Sequence, residues 1–230
     1  MAIKNNDIER SYEYKCPEKL VYWLRLSLYL FIAISIVSFV SYFFEYQLLS
    51  DFQNDIYSSQ EQASDDAEAS DFRRSVIAIA YIIVYVISGV LTLKWVYRSN
   101  NNVRALGEND LKITPRWAVG WFFVPFANLW KPYEAMFEIW IHSKSLSNKF
   151  INNKNSIVIN WWGLCLASQL TTRLAINHFE ESEEVIELMN SSLIYMFSDV
   201  LEILLSFITL SLVIKINSMQ ETFRTEQVKN

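Results

Sequence analysis

Apolar residues in this chain neither alternate nor recur only at helical spacing; they collect into four runs divided by polar sequence. The runs cover residues 20–44, 75–96, 157–176 and, less sharply bounded at its start, 195–214. Each reaches the roughly eighteen residues with few charges that a helix needs to cross a hydrocarbon layer about 30 Å thick. Inside the runs, small or weakly polar residues return at helical spacing. The first run has Ser27, Ser35 and Ser38, and the second has Tyr81, Tyr85, Ser88 and Thr92. The third has Gly163, Ala167 and Thr171, with Cys165, Gln169, Thr172 and Arg173 on another side; the fourth has Asp199, Glu202, Ser206 and Thr209. Lipid tails reward apolar surface equally well everywhere else, so such stripes mark helix contacts.

The pattern predicts an all-α integral membrane protein with four transmembrane helices, over residues 20–48, 73–97, 157–176 and 195–216. The first run is too long for a signal peptide, and no small-x-small cleavage site follows Phe44, so it reads as an anchor. Between the spans lie acidic outer loops at 49–72 and 177–194 and a cytoplasmic region at 98–156. Residues 1–19 and 217–230 form a cytoplasmic N-terminal segment and tail. The polar, acidic composition of residues 58–71 predicts a mobile loop.

Charge sets the orientation, because cytoplasmic segments retain Lys and Arg during insertion. Of 20 such residues, five lie in 1–25, nine in 94–154 and three in 215–230. The other two connections carry acids: Asp51, Asp55, Glu61, Asp65, Asp66, Glu68 and Asp71 in one, Glu180, Glu181, Glu183, Glu184 and Glu187 in the other. Both termini are therefore expected in the cytoplasm. All eight Trp fall at or near the cytoplasmic ends, where indole rings favour the headgroup layer. The formal net charge of −5, with basic residues spread among segments, is not that of a nucleic-acid surface. Two cysteines, Cys16 and Cys165, and two histidines, His142 and His178, stand in separate segments without metal-ligand spacing, and no cofactor is expected.

The most distinctive stretch is residues 113–140, between the second and third spans. Its apolar part, residues 117–130, is too short to span and is interrupted by Gly120 and Pro125, as a re-entrant or interfacial segment would be. Asn128 offers a cap for a freed backbone group, and Pro132 suits the first turn of a new helix. From there Tyr133, Met136, Phe137, Trp140 and Ile141 recur at helical spacing, with Glu134 and Glu138 on another face, as in an amphipathic helix at the cytoplasmic surface. A carboxylate pair four residues apart can in principle serve acid–base chemistry, but it is more often a solvated face.

Pro115, Trp117, Ala118, Gly120, Trp121, Phe123, Pro125, Asn128, Leu129, Pro132, Tyr133 and Trp140, all within these residues, make the stretch resemble the signature of a bacterial membrane-protein family called domain of unknown function 4328. The resemblance implies a multispan protein of a prokaryotic cytoplasmic (inner) membrane and supplies no activity or catalytic residue.

Two candidate sites follow. The first is the cytoplasmic motif, with Trp117, Trp121, Pro125, Asn128, Trp130, Pro132 and Tyr133. The second is intramembrane: Arg173, Asp199, Glu202 and Ser206. At about 1.5 Å per residue, Arg173 lies roughly 24 Å above residue 157 and Asp199 roughly 24 Å above residue 215, so an ion pair between them is expected, leaving Glu202 one turn deeper without an obvious partner. The expected function is non-enzymatic: an oligomeric membrane sensor or scaffold, or a pore-forming component, whose polar faces meet across subunits. Alternatives are a membrane enzyme acting on a lipid or apolar substrate at the cytoplasmic face, or a small transporter. Expected partners are membrane lipid, further copies of the chain and a cytoplasmic protein.

In a variant lacking Cys16 and Cys165, single cysteines at positions 60 and 183 are expected to react with a membrane-impermeant thiol reagent applied to intact cells. Cysteines at positions 10, 105, 148 and 225 are expected to stay protected; labelling at 148 from outside would establish a fifth crossing.

Overall fold

The computed structural model describes residues 12–108, 110–146, 156–181 and 184–229. Among these residues the regular structure is helical, without a strand, in the order α1 (Glu18–Gln53), α2 (Gln60–Ala105), α3 (Pro115–Gly120), α4 (Lys131–Leu146), α5 (Ser156–Glu181) and α6 (Val185–Lys229). Two short 3-10 turns, Trp121–Phe123 and Ala127–Leu129, link α3 to α4. Helices α1, α2 and α6 are long and apolar enough to cross a membrane. Helix α5 has 26 residues, but Asn160, Gln169 and Arg173 interrupt its apolar character. At about 1.5 Å per residue, α1 measures about 54 Å and α2 about 69 Å, well beyond a hydrocarbon layer.

The surplus length corrects the loop expectation. Residues 60–71 are the first turns of α2, and only residues 54–59 connect it to α1. The segment reads Gln-Glu-Gln-Ala-Ser-Asp-Asp-Ala-Glu-Ala-Ser, rich in helix formers, with acids near a helix N-terminus where the dipole favours them. Ser59 Oγ accepts from the Gln62 amide at 3.2 Å, an N-terminal cap. Ala63 and Ser70 are buried, so the segment packs as well as coils. Likewise α5 runs to Glu181 and α6 begins at Val185, so most of the second acidic connection is helical. The expected cytoplasmic tail is the continuation of α6. Residues 1–11 of the N-terminal segment, residues 147–155 of the basic cytoplasmic region and residues 182–183 of the acidic connection lie outside the described residues.

The chain divides into two compact units. The first comprises Leu20–Thr92 and Asn153–Val213 and is called the membrane unit below. Its polarity is inverted relative to a water-soluble protein. Ile79, Ile82, Ile83, Val86, Leu170, Leu174, Phe197, Leu204 and Phe207 are exposed, while Ser27, Ser35, Ser38, Ser41, Glu45, Ser168, Ser198, Asp199, Glu202, Ser206 and Thr209 are buried. On α1 the buried residues Leu24, Leu28, Phe31, Ser35, Ser38, Glu45 and Leu49 follow steps of three, four or seven, a seam lined by small side chains that lets backbones approach. Ser88, the only buried residue of α2 between Asp71 and Lys94, donates to the Ser27 carbonyl at 3.2 Å.

A charged clasp joins α1 to α2. Glu45, 6% exposed, meets Arg74 at 2.7 Å and also accepts from the Ser70 hydroxyl. Arg73 donates to Ser41 Oγ at 3.1 Å and to Ser70 Oγ at 2.8 Å. Arg74 Cζ also stands 5.1 Å over the Phe179 ring, which brings in α5.

The second unit comprises Met1–Lys19, Leu93–Asn152 and Ile214–Asn230, and holds the Trp/Pro motif. Its core contains Trp95, Val96, Val103, Met136, Ile139, Trp140, Ile216 and Met219. Gln220, 1% exposed, crosslinks three helices by donating to the Ser99 carbonyl at 3.2 Å and Ser143 Oγ at 3.0 Å. A run of three Asn gathers irregular segments onto α2. Asn100 donates to the Ile113 carbonyl (3.0 Å), Asn101 to the Glu13 carbonyl (2.8 Å), and Asn102 exchanges two hydrogen bonds with the Lys15 backbone (3.0 Å each). Tyr14 donates to Glu221 at 2.8 Å, and burial together with this acidic partner pushes its phenol above the ordinary range.

Helix α4 is amphipathic as expected, but its apolar stripe is not spread on a membrane surface. Pro132, Ala135, Met136, Ile139, Trp140, Ser143 and Leu146 are buried inside this unit. The stripe is centred between the Ala135/Ile139 and Met136/Trp140 rows, so Tyr133 and Phe137 lie at its edge, paired at 5.6 Å.

Because Glu45 is nearly excluded from water, Arg74→Ala is expected to destabilise the solubilised protein by roughly 3–5 kcal/mol, whereas Arg74→Ala combined with Glu45→Ala costs clearly less. A double-mutant cycle on detergent unfolding measures this; additive losses would mean that the clasp contributes no coupling.

Candidate functional site

The intramembrane candidates do not form one cluster. Thr172 Oγ1 and Ser198 Oγ are 2.7 Å apart and set the register of α5 against α6. Thr172 thus faces α6, and Arg173, about 100° further round the helix, is exposed. The expected bridge is absent: among the described residues no ion pair joins Arg173 to Asp199. Equal depth is not equal azimuth.

Asp199 points instead toward α1 and α2. It is 4% exposed, lies beside Ser38, and leaves its Oδ2 buried with no partner. It lines a cavity of about 260 Å³ with Ser38, Ser41, Tyr42, Arg74, Tyr81 and Ser198 among its other walls. Tyr42 and Tyr195, also lining residues, stack with centroids 4.5 Å apart and planes 1° from parallel. Glu202, 7% exposed, lies beside Ser168 and faces a second cavity of about 340 Å³ with Tyr81, Tyr85, Gln169, Thr172 and Arg173. The two cavities share Tyr81, Ile82 and Thr172. Ser206 is buried on the same face of α6 but lines neither. One turn further, Thr209 accepts the Trp161 indole N–H at 3.1 Å. The sequence reading missed the cavity-facing Arg74 and its partner Glu45. The available signal was an acid late in the first apolar run opposite an Arg pair early in the second.

The cytoplasmic motif is resolved into local devices. Thr114 caps α3 through the Trp117 amide, and Pro115 occupies the first helical position. Trp117 and Trp121 stack at 4.6 Å, and a side chain at Gly120 would press on the Trp117 ring at 3.3 Å, so the glycine serves close approach. Pro125 precedes a tight turn. The Ala127 amide donates to the Pro125 carbonyl at 2.7 Å across Phe126, whose φ of 62° and ψ of −48° form a strained γ-turn. Phe126 is consequently thrust outward, 80% exposed, beside the exposed Phe123, Leu129 and Trp130. Asn128 closes the turn through its backbone, donating to the Val124 carbonyl at 3.0 Å. Pro132 is buried and Tyr133 half-buried at the start of α4. Glu134 pairs with Lys131 at 2.6 Å, while Glu138 accepts the Ile113 amide at 3.0 Å, so the two carboxylates serve separate structural contacts. His142 meets Glu108 at 2.8 Å.

Among the described residues, no group of three or more His, Cys, Asp or Glu is placed to hold a metal ion. The membrane unit gathers a buried carboxylate, hydroxyls and aromatic rings around a cavity, groups that suit recognition of a small molecule. No curated protein and no solved structure matches the chain. A family model described as Domain of unknown function (DUF4328) matches residues 59–218, which takes in α2, the whole Trp/Pro motif, α5 and most of α6. With more than half its length matched, this membrane protein belongs to the DUF4328 family.

Proposed function

We propose that the chain is a non-enzymatic membrane sensor or scaffold of a prokaryotic cytoplasmic membrane, in which the membrane unit binds a small molecule. In this reading α5 is a fourth span, with Gln169, Thr172 and Arg173 set around a partly open polar cavity, and both termini are cytoplasmic. The observation that carries the proposal is Asp199. A carboxylate held nearly free of water with one oxygen unsatisfied is costly, and it lies against a cavity large enough to hold a ligand. The polar faces meet within one chain, through Ser88 to Ser27, Thr172 to Ser198 and Trp161 to Thr209, which favours an intrachain pocket over a pore built between copies. The outward aromatic face at Phe123, Phe126, Leu129 and Trp130 supports contact with lipid headgroups or a cytoplasmic partner, and association with further copies belongs to the same proposal.

Native mass spectrometry of the protein released from its host membrane in mild detergent tests this. The wild type is expected to carry a small-molecule adduct. Ala78→Trp, which fills the first cavity, is expected to lose it, and Val90→Trp, on the exposed apolar surface, to keep it. Adduct-free spectra from the wild type, or the same adduct on all three proteins, would refute the binding role.

A further inference from the structure

The membrane unit's first cavity has a charge character that narrows its occupant. Asp199 is 4% exposed and lines this cavity, and its Oδ2, shielded from solvent, has no hydrogen-bond partner, so an unanswered acidic group stands in the cavity wall. Arg74 is the only Lys or Arg among the lining residues, and it is committed elsewhere: to Glu45 at 2.7 Å, to Asp71 at 3.8 Å and to the Phe179 ring at 5.1 Å. Glu202 lies one turn along α6, facing the adjoining cavity. Arg173 lines that adjoining cavity with Glu202, so the uncompensated charge of the first cavity's own wall is that of Asp199. Tyr42, Tyr81 and Tyr195 add aromatic rings to the walls, Ser38, Ser41, Thr172 and Ser198 add hydroxyl acceptors, and Ile77, Ile82 and Ile176 add apolar surface.

Each class of ligand meets this arrangement differently. An anion would stand against Asp199 with no uncommitted cation among the described residues of the first cavity's wall to offset it. A neutral molecule would leave the charge of Asp199 uncompensated. A bare metal ion would require a denser set of ligands than the described residues bring together. An organic cation answers every feature: its N–H groups or positive charge meet the carboxylate, its charge is attracted by tyrosine rings, and its hydrocarbon part fits the apolar wall.

We infer that the cavity beside Asp199 is a binding site for a small organic cation, an amine or quaternary ammonium on a body about the size of one aromatic ring. Asp199 is its counter-ion, and Tyr42, Tyr81 and Tyr195 supply its aromatic surround. The cavity of about 260 Å³ is smaller than most drug-sized ligand sites, of about 300–1,000 Å³, which suits a compact ligand. The inference rests on the reading of the membrane unit as a small-molecule receptor and adds the chemistry of what it receives.

Isothermal titration of the full-length protein in detergent at neutral pH, with benzylammonium, benzyl alcohol and benzoate, separates charge from shape because the three probes are close in size. Benzylammonium is expected to bind with one-to-one stoichiometry, at least about tenfold more tightly than benzyl alcohol, with benzoate not binding. Asp199→Asn is expected to weaken benzylammonium binding by at least about tenfold while leaving benzyl alcohol within about twofold. The wild-type comparison needs no variant to fold. Benzyl alcohol or benzoate binding as tightly as benzylammonium would overturn the cation assignment and leave the receptor reading standing, as would an Asp199→Asn variant with unchanged benzylammonium affinity. Absence of binding by all three would also overturn the cation assignment, and the native adduct would then decide the receptor reading separately.

Discussion

Hydrocarbon offers no hydrogen bonds, and the architecture of the membrane unit follows from that one constraint. Side chains that can satisfy themselves nowhere but inside the protein turn inward, and large aliphatic side chains, which lose nothing against lipid, turn outward. The serine seam of α1 and the acids of α6 are buried for this reason, while Ile79, Ile83 and Phe207 are exposed. The magnitudes separate ordinary contacts from unusual ones. An interhelical hydrogen bond in a bilayer contributes on the order of 0.6 kcal/mol, whereas an ionisable group near the centre costs at least about 2.5 kcal/mol. Glu45 offsets its cost with Arg74 and Ser70. Asp199 does not, since its Oδ2 has no partner and no ion pair reaches it among the described residues. A contact network built for stability alone would have no use for such a residue, which is why it carries the functional proposal.

Several of these features were legible in the sequence, and the failures have a common cause. Run length, charge distribution and polar stripes are one-dimensional signals. They sufficed for α1, α2 and α6, for the inward face of Asp199, Glu202 and Ser206, and for the family signature in residues 113–140. The rise per residue gives depth but not rotation, and rotation decided the fate of Arg173: the Thr172–Ser198 contact turns it away from Asp199. Polarity was also mistaken for irregularity. Residues 60–71 are acidic and would dissolve as readily as a coil, but Ser59 caps them and Ala63 and Ser70 find packing partners, so α2 absorbs them.

The Trp/Pro motif shows the converse. Its composition announced something unusual without saying what each residue does. The glycine makes room for an indole, the first proline opens a helix, and Pro125 precedes a turn whose strain is concentrated on Phe126. Strain that exposes a large aromatic side chain is opposite to what folding alone would favour, so the surrounding structure must hold it there. The Asn run at 100–102 carried its own signal: three poor helix formers in succession within α2, tolerated because each side chain satisfies a backbone group of another segment.

Those asparagines also impose an order in time. Residues 13–16 are synthesised before the first span, but their hydrogen-bond partners at Arg98, Asn101 and Asn102 follow the second, and Glu221, which receives Tyr14 from 207 residues away, follows the last. Until the ribosome has delivered α6, this segment has no complete seat, and its polar backbone must be kept by water or by a chaperone. Seating of this N-terminal segment is therefore complete only after α6 has been synthesised.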